Sequence, residues 1–226
     1  MELMQQYKIE LTGLTPLLMH RDNLMFNEKI MEWRMMPENK KKSKAGDDRC
    51  PAWGWIGYLY HDGQQVGMDH DNIMTMLREG GTKVSTGHGK ETYKKNTQAG
   101  IVLDQQQFSL TINNGRAVSM QDIEPLMESG DFAHQIKTVE RLGFDLLVKR
   151  AVVGRSKHIR VRPRFHNWKL TGSLTVMDQE LSGIDESILN LILKQAGSLC
   201  GIGDWRPSSP SAGRFGMFVP TVTRVN

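Results

Sequence analysis

Cysteine is nearly absent from this 226-residue chain: there are two, Cys50 and Cys200, far apart and outside any C-x-x-C spacing. That argues against a disulfide scaffold or a zinc ribbon, and a reducing compartment is expected. Long apolar runs are missing as well; no stretch approaches the ~18 to 20 residues needed to span a bilayer. Met1 to Gln6 show no cationic start followed by an apolar stretch, so no signal peptide is expected. The expectation is a cytoplasmic protein with no membrane partner. Gly-x-Ser-x-Gly, His-Glu-x-x-His and paired-carboxylate motifs are also lacking, so the common hydrolase and metalloprotease signatures do not apply. The length suffices for a full core without disulfides or metal.

One absence is local. Between Lys149 and Lys169 there is no acidic residue, while Lys149, Arg150, Arg155, Lys157, Arg160, Arg162, Arg164 and Lys169 are all cationic. The net charge of the chain is +4, so the remainder carries 21 cations against 25 acids, or about −4. A mildly acidic body thus bears one concentrated cationic segment. Within it His158, Arg160, Arg162, Arg164, His166 and Trp168 alternate with Ile159, Val161, Pro163, Phe165 and Asn167. As a strand, this places a cationic and aromatic row on one face and mostly apolar residues on the other. Regularly spaced phosphates suit such a row, because arginine offers a planar fork of donors.

The rest of the chain mixes strands and helices without a steady β-α-β alternation, which points to an α+β fold. Residues 7–14 alternate as a half-buried strand, and Trp168 to Met177 do so most clearly. Asp69 or Asp71 caps a helix reaching about Glu79, with Gly80-Gly81 as its stop, and Asp185 caps an apolar helix to Cys200. A strand starting near Phe144 continues into the cationic segment as a hairpin that turns at Gly154 to Lys157. Two lysine-rich loops, at about 21–52 and 82–100, are expected to order only on a partner. The order strand, helix, strands, helix, strand is that of a ferredoxin-like (RRM-like) βαββαβ core, here one domain with long insertions. Fourteen methionines are many for this length; at helical spacing they read as adaptable core filling.

Residues 201–216, GIGDWRPSSPSAGRFG, form the most motif-like stretch. Gly201, Gly203, Gly213 and Gly216 permit close backbone approach, with Trp205, Arg206, Arg214 and Phe215 interleaved. Phosphate-binding glycine loops leave a strand and open a helix, which adds the helix dipole. This loop leaves a helix and enters a strand, so an anion here relies on amides and arginines; a helix stop plus a turn explains the same glycines.

The strand ending in Gly13-Leu-Thr-Pro-Leu-Leu18 resembles the opening of RAMP superfamily proteins. The last helix followed by Gly201-x-Gly-Asp-x-Arg and Gly213-Arg-Phe-Gly216 resembles their ending, and residues 66–78 their first helix with its lead-in. Within that superfamily the chain is most similar to the repeating backbone subunit of CRISPR effector complexes. The resemblance implies a ferredoxin-like core and a non-enzymatic subunit without cofactor or metal. It also implies guide RNA (or a single-stranded target), copies of itself and other effector subunits as partners. The expected phosphate contacts are Lys149, Arg150, Arg155, Lys157, Arg160, Arg162 and Arg164, joined by Arg206 and Arg214; Trp168, Trp205 and Phe215 would stack on bases.

Three rival chemistries have candidates. His20 follows the first strand and could act as general acid or base in a guide-processing endoribonuclease, although only Lys or Arg lies near it in sequence. Asp22, Asp47 and Asp48 are loop acids, like the cleaving aspartate of some backbone subunits. Asp62, Asp69, His70 and Asp71 are close enough in sequence to suggest metal, but helix capping explains two of them. A single-stranded nucleic-acid binder or scaffold outside CRISPR is a further alternative.

Overall fold

The computed structural model describes residues 4–42, 46–128, 130–154 and 156–225. In chain order the strands and helices are β1 (Gln5–Gly13), β2 (Leu17–Leu18), α1 (Leu24–Met35), β3 (Gly67–Asp69), α2 (His70–Gly81), α3 (Lys94–Gly100), β4 (Ile101–Leu103), β5 (Gln107–Ile112), β6 (Arg116–Ala117), α4 (Met120–Ile123), α5 (Phe132–Leu142), β7 (Asp145–Val153), β8 (Ser156–Phe165), β9 (Trp168–Val176), α6 (Gln179–Ser182), α7 (Glu186–Gln195) and β10 (Phe218–Arg224). The fold is mixed α and β, and its sheets are antiparallel. Two compact units form: Met1–Leu17 with Gly67–Ala117 and His166–Asn226, and Leu18–Val66 with Val118–Phe165.

The first unit is built on a sheet of order β10-β1-β9-β5-β3. β4 also pairs with β9, beyond β5, so β4 and β5 act as one strand interrupted at residues 104–106. Period-two alternation decides which face is covered. Tyr7, Ile9, Leu11, Phe108, Leu110, Trp168, Leu170, Leu174 and Phe218 are buried, together with Ile73, Met76 and Leu77 of α2 and Leu189, Ile192 and Leu193 of α7. Asp69 caps α2 by accepting from the Asn72 amide at 3.1 Å, and Asp185 caps α7 through the Ile188 amide at 2.8 Å. α2 ends at Gly81, as expected, and Gly80 and Gly81 are its last two residues, both buried. A Cβ at Gly80 would stand 2.6 Å from the Ile192 carbonyl, so glycine there lets α2 and α7 cross closely.

The second unit holds the β7–β8 hairpin, whose sheet has the order β2-β8-β7. Its core gathers Met19, Phe26, Trp53, Trp55, Ile56, Val139, Phe144, Leu146, Val161 and Phe165. The aromatic stretch near Trp53 is a largely buried 3-10 turn, Gly54–Tyr58. The Trp55 indole N–H donates to Gln135 Oε1 at 2.9 Å, and Gln135 Nε2 donates to the Leu126 carbonyl at 2.6 Å, so this buried amide is satisfied. Residues 82–100 are more ordered than a lysine-rich loop: the Tyr93 amide donates to the Val84 carbonyl and α3 follows.

The methionines divide. Met68 and Met76 are fully buried, as expected of core filling, whereas Met25, Met31, Met35 and Met36 are 72%, 50%, 67% and 44% exposed. The expectation of core packing is wrong for that second group.

Candidate nucleic-acid interface

The cationic segment does form one strand of a hairpin, with Gly154 at φ +60° in the turn. The register pairs Asp145 with Arg164, Leu147 with Arg162, Lys149 with Arg160 and Ala151 with His158. Directly opposed residues share a face, so these eight lie on one side of the ribbon. The other side carries Leu146, Val148, Arg150 and Val152 opposite Pro163, Val161, Ile159 and Lys157. Arg155 lies outside the described residues.

The base of the ribbon is neutralised from within. Arg160 Nη1 lies 3.1 Å from Asp48 Oδ1, and Arg162 Nη1 lies 3.2 Å from Asp48 Oδ2. The Arg162 guanidinium also donates to the Val161 carbonyl and sits 4.6 Å from the Tyr58 ring centroid. Its side chain is 5% exposed. The Tyr58 hydroxyl is pushed above the usual phenol range, first by burial and then by the Asp48 carboxylate. Arg164 makes a two-pronged contact with Asp145, both distances 2.7 Å, and its pKa is raised chiefly by those bonds. A buried, carboxylate-bound guanidinium cannot reach a phosphate without leaving an unpaired buried acid. The expectation that Arg162 grips phosphate is corrected on that ground; Arg160 and Arg164 are also paired with carboxylates, though their side chains are 28% and 27% exposed.

Loop 46–50 supplies the other half of this cluster. The Ile159 amide donates to the Gly46 carbonyl, the Asp48 amide to the Ile159 carbonyl, and Asp47 holds Arg49 at 2.7 Å. Asp47 and Asp48 are thus locked in ion pairs, which removes two of the three loop acids from consideration as cleaving groups. Lys40, Lys41 and Lys42 precede this loop and are exposed. Gly46 is four residue steps beyond Lys42, a reach of at most about 14 Å. At the free end of the ribbon Lys149, on the loop's side, and Arg150 and Lys157, on the opposite side, are exposed as well.

Trp168 is 1% exposed, and its indole N–H donates to the Thr15 carbonyl at 2.8 Å. With no face open to a base, it cannot stack; that expectation is also corrected. The cationic row ends at Phe165, and Trp168 begins β9 in the other unit, facing its core. The open face of the first unit's sheet carries Lys8, Glu10, Thr12, Thr111, Lys169, Thr171 and Ser173, with Lys169 and Glu10 paired at 2.7 Å. A groove of about 590 Å³ runs past Glu10, Thr12, Asn114, Asn167 and Lys169. Among the described residues of β1, β5, β9 and β10 this face has no aromatic side chain, so it offers no stacking platform.

In the glycine loop Arg206 is bound to Glu79 at 3.0 Å, and Ser208 Oγ donates to the same carboxylate at 2.6 Å. This ties the loop to α2. Gly216, at φ +69°, is buried, and a Cβ there would stand 1.7 Å from the Ile202 carbonyl oxygen. The loop doubles back on itself: the Ile202 amide donates to the Gly216 carbonyl, and the Gly213 amide to the Arg206 carbonyl. Gly201 and Gly203 likewise have positive φ, at +70° and +83°. Gly201, Gly213 and Gly216 thus serve the crossing of two backbone segments. Arg214 is exposed, whereas Trp205 and Phe215 are half-buried, with ring centroids 6.4 Å apart.

His20 is exposed, with its ring edge-on to Tyr58 at 4.9 Å. The Tyr60 hydroxyl donates to the His20 carbonyl, and the Arg21 amide to the Tyr58 carbonyl. The second segment brings in His61, a histidine that sequence proximity could not reveal; burial first, and Arg21 second, hold its pKa below the usual histidine value. Asp62 accepts from the Gln64 and Gln65 amides, and Asp69 is spent on its cap. Among the described residues no three His, Cys, Asp or Glu side chains gather to hold a metal ion, and no helix is long and apolar enough to cross a membrane. The sequence matches no family model and no curated protein.

Proposed function

We propose that the chain is an RNA-binding backbone subunit of the RAMP kind, holding guide RNA by its phosphates and stacking in copies within a CRISPR-type effector. The first unit supports a ferredoxin-like core: its sheet runs β10-β1-β9-β4/β5, the fourth, first, third and second strands of a βαββαβ order, with α2 and α7 as the crossovers. Chain leaving this core after Leu17 and after Ala117 builds the second unit, which carries the cationic ribbon.

The observation that carries the reading is where exposed positive charge survives internal pairing. It survives at Lys40, Lys41 and Lys42, which lead into loop 46–50. Arg214 adds one exposed cation in the glycine loop. Lysines of this kind neutralise a backbone without reading bases, so binding is tolerant of sequence and sensitive to salt. Purified at low salt, the protein is expected to carry RNA, seen as a raised ratio of absorbance at 260 to 280 nm. It should bind unrelated single-stranded RNAs of equal length with equal affinity. Nucleic-acid-free protein that ignores RNA at low salt overturns the reading.

A second reading is favoured by one observation, the arrival of His61 beside the His20 segment. Two histidines can serve as acid and base in RNA cleavage. The endoribonuclease reading expects the protein to cut repeat RNA, and His20→Ala and His61→Ala each to stop it.

A further inference from the structure

Helix α1 is apolar on two sides. At 100° per residue, Phe26, Ile30 and Trp33 fall on the inner side, where Phe26 is buried and the other two half-buried. Leu24, Met25, Met31 and Met35 fall on the outer side and are 73%, 72%, 50% and 67% exposed. A surface helix ordinarily has one apolar stripe, and contiguous exposed apolar surface marks a site of association. Methionine suits such a site because its flexible, polarisable side chain adapts to what covers it. Glu28 and Glu32 stand within this stripe, one turn and about 6 Å apart along the axis. Among the described residues neither is in an ion pair.

A surface of matching character exists on the same chain. The side of the β7–β8 ribbon facing away from loop 46–50 exposes Val148 (43%) and Val152 (72%), with Ile159 half-buried beside them. Arg150 and Lys157 are exposed on that side. Arg150 is opposite Ile159 and Lys157 is opposite Val152, which makes the two cations diagonal neighbours about 7–8 Å apart. Two acids among methionines thus have a counterpart in two cations among valines, at nearly the same spacing.

We propose that the outer face of α1 docks the β7–β8 ribbon of a second copy of this chain, Glu28 and Glu32 meeting the partner's Arg150 and Lys157. The choice of a second copy rests on the reading that copies stack along one RNA. Apolar contact between methionine and valine side chains supplies the affinity, and the charge pairs set register and exclude wrong partners. Because the two patches are different surfaces, the contact is head-to-tail and repeats from copy to copy.

Sedimentation velocity of the full chain, with and without a long single-stranded RNA, tests this by charge exchange. E28K/E32K and R150E/K157E each place like charges at the contact, so each alone should associate at least 10-fold more weakly than the parent. A one-to-one mixture of the two variants restores opposite charges at both contacts and should recover the assembly. E28K/E32K should lose no affinity for a short RNA that holds one copy, which separates this contact from the phosphate grip. A parent that stays a single subunit, single variants that assemble like the parent, or a mixture that does not recover, would each overturn the proposal. If parent protein assembles by this charge rule yet ignores RNA, the docking stands and the RNA reading falls.

Discussion

At the base of the β7–β8 ribbon, Arg160, Arg162 and Arg164 are held by Asp48 and Asp145; at its free end Lys149, Arg150 and Lys157 stand exposed. The two regions have the same charge and lie on the same two strands. The base buries its guanidinium groups against Tyr58 and two carboxylates, so its charge is spent on holding loop 46–50 to the strand. Among the described residues, the backbone bonds of loop 46–50 to the ribbon are made at Ile159. Cation density along a sequence therefore measures attraction for an anion, not which anion; an internal aspartate competes on equal terms with a phosphate.

The largest way to break this contrast is Arg162→Ala. It leaves Asp48 buried with half its pairing and should cost about 3–5 kcal/mol by chemical denaturation. Lys149→Ala, by contrast, should leave stability within about 0.5 kcal/mol. Equal effects of the two would erase the distinction between base and tip. Gly216→Ala comes next. A left-handed backbone costs a non-glycine residue about 1–3 kcal/mol, and the Ile202 carbonyl must move as well. A lowered melting temperature with the RNA-binding salt slope unchanged would confirm that this glycine serves the loop's crossing. An unchanged melting temperature would return it to the list of ligand-facing positions.

The smallest expected effect is at Glu10 on the open sheet. The hydrogen bond from Lys169, chiefly, lowers its pKa. A group depressed in this way adds stability above its unfolded pKa, and the contribution is lost as pH falls through the folded value. Glu10→Gln should thus cost a surface pair's roughly 0.2–1 kcal/mol at pH 7 and nothing once the carboxylate is protonated in acid. A difference that persists into acid would point to packing instead of charge.

Much of the fold was legible in local pattern. Alternation marked β1 and β9, and Asp69 or Asp71 and Asp185 marked where two helices start. The hairpin was legible but its register was not: a turn at Gly154 to Lys157 leaves the pairing open, and it is the pairing of Val153 with Ser156 that sets Asp145 opposite Arg164. Asp48 was not, because it meets Arg160 and Arg162 across more than a hundred residues, through a loop with no periodicity of its own. His61 was hidden from His20 for the same reason. The Met25 to Met36 group misled because spacing reveals that a helix has apolar residues, while only the tertiary structure reveals that two opposite sides carry them. Gly80 had a second role that pattern did not show, since a glycine that ends a helix and one that also lets two helices cross look alike along the chain.

The most direct measurement is the salt dependence of binding to single-stranded RNA for the parent and for K40A/K41A/K42A. Each phosphate contact removed should lower the magnitude of the log–log slope by about 0.7, so the variant should lose about 2. It should also bind more weakly at every salt concentration while melting like the parent. Unchanged affinity and slope would contradict the assignment of phosphate binding to these lysines.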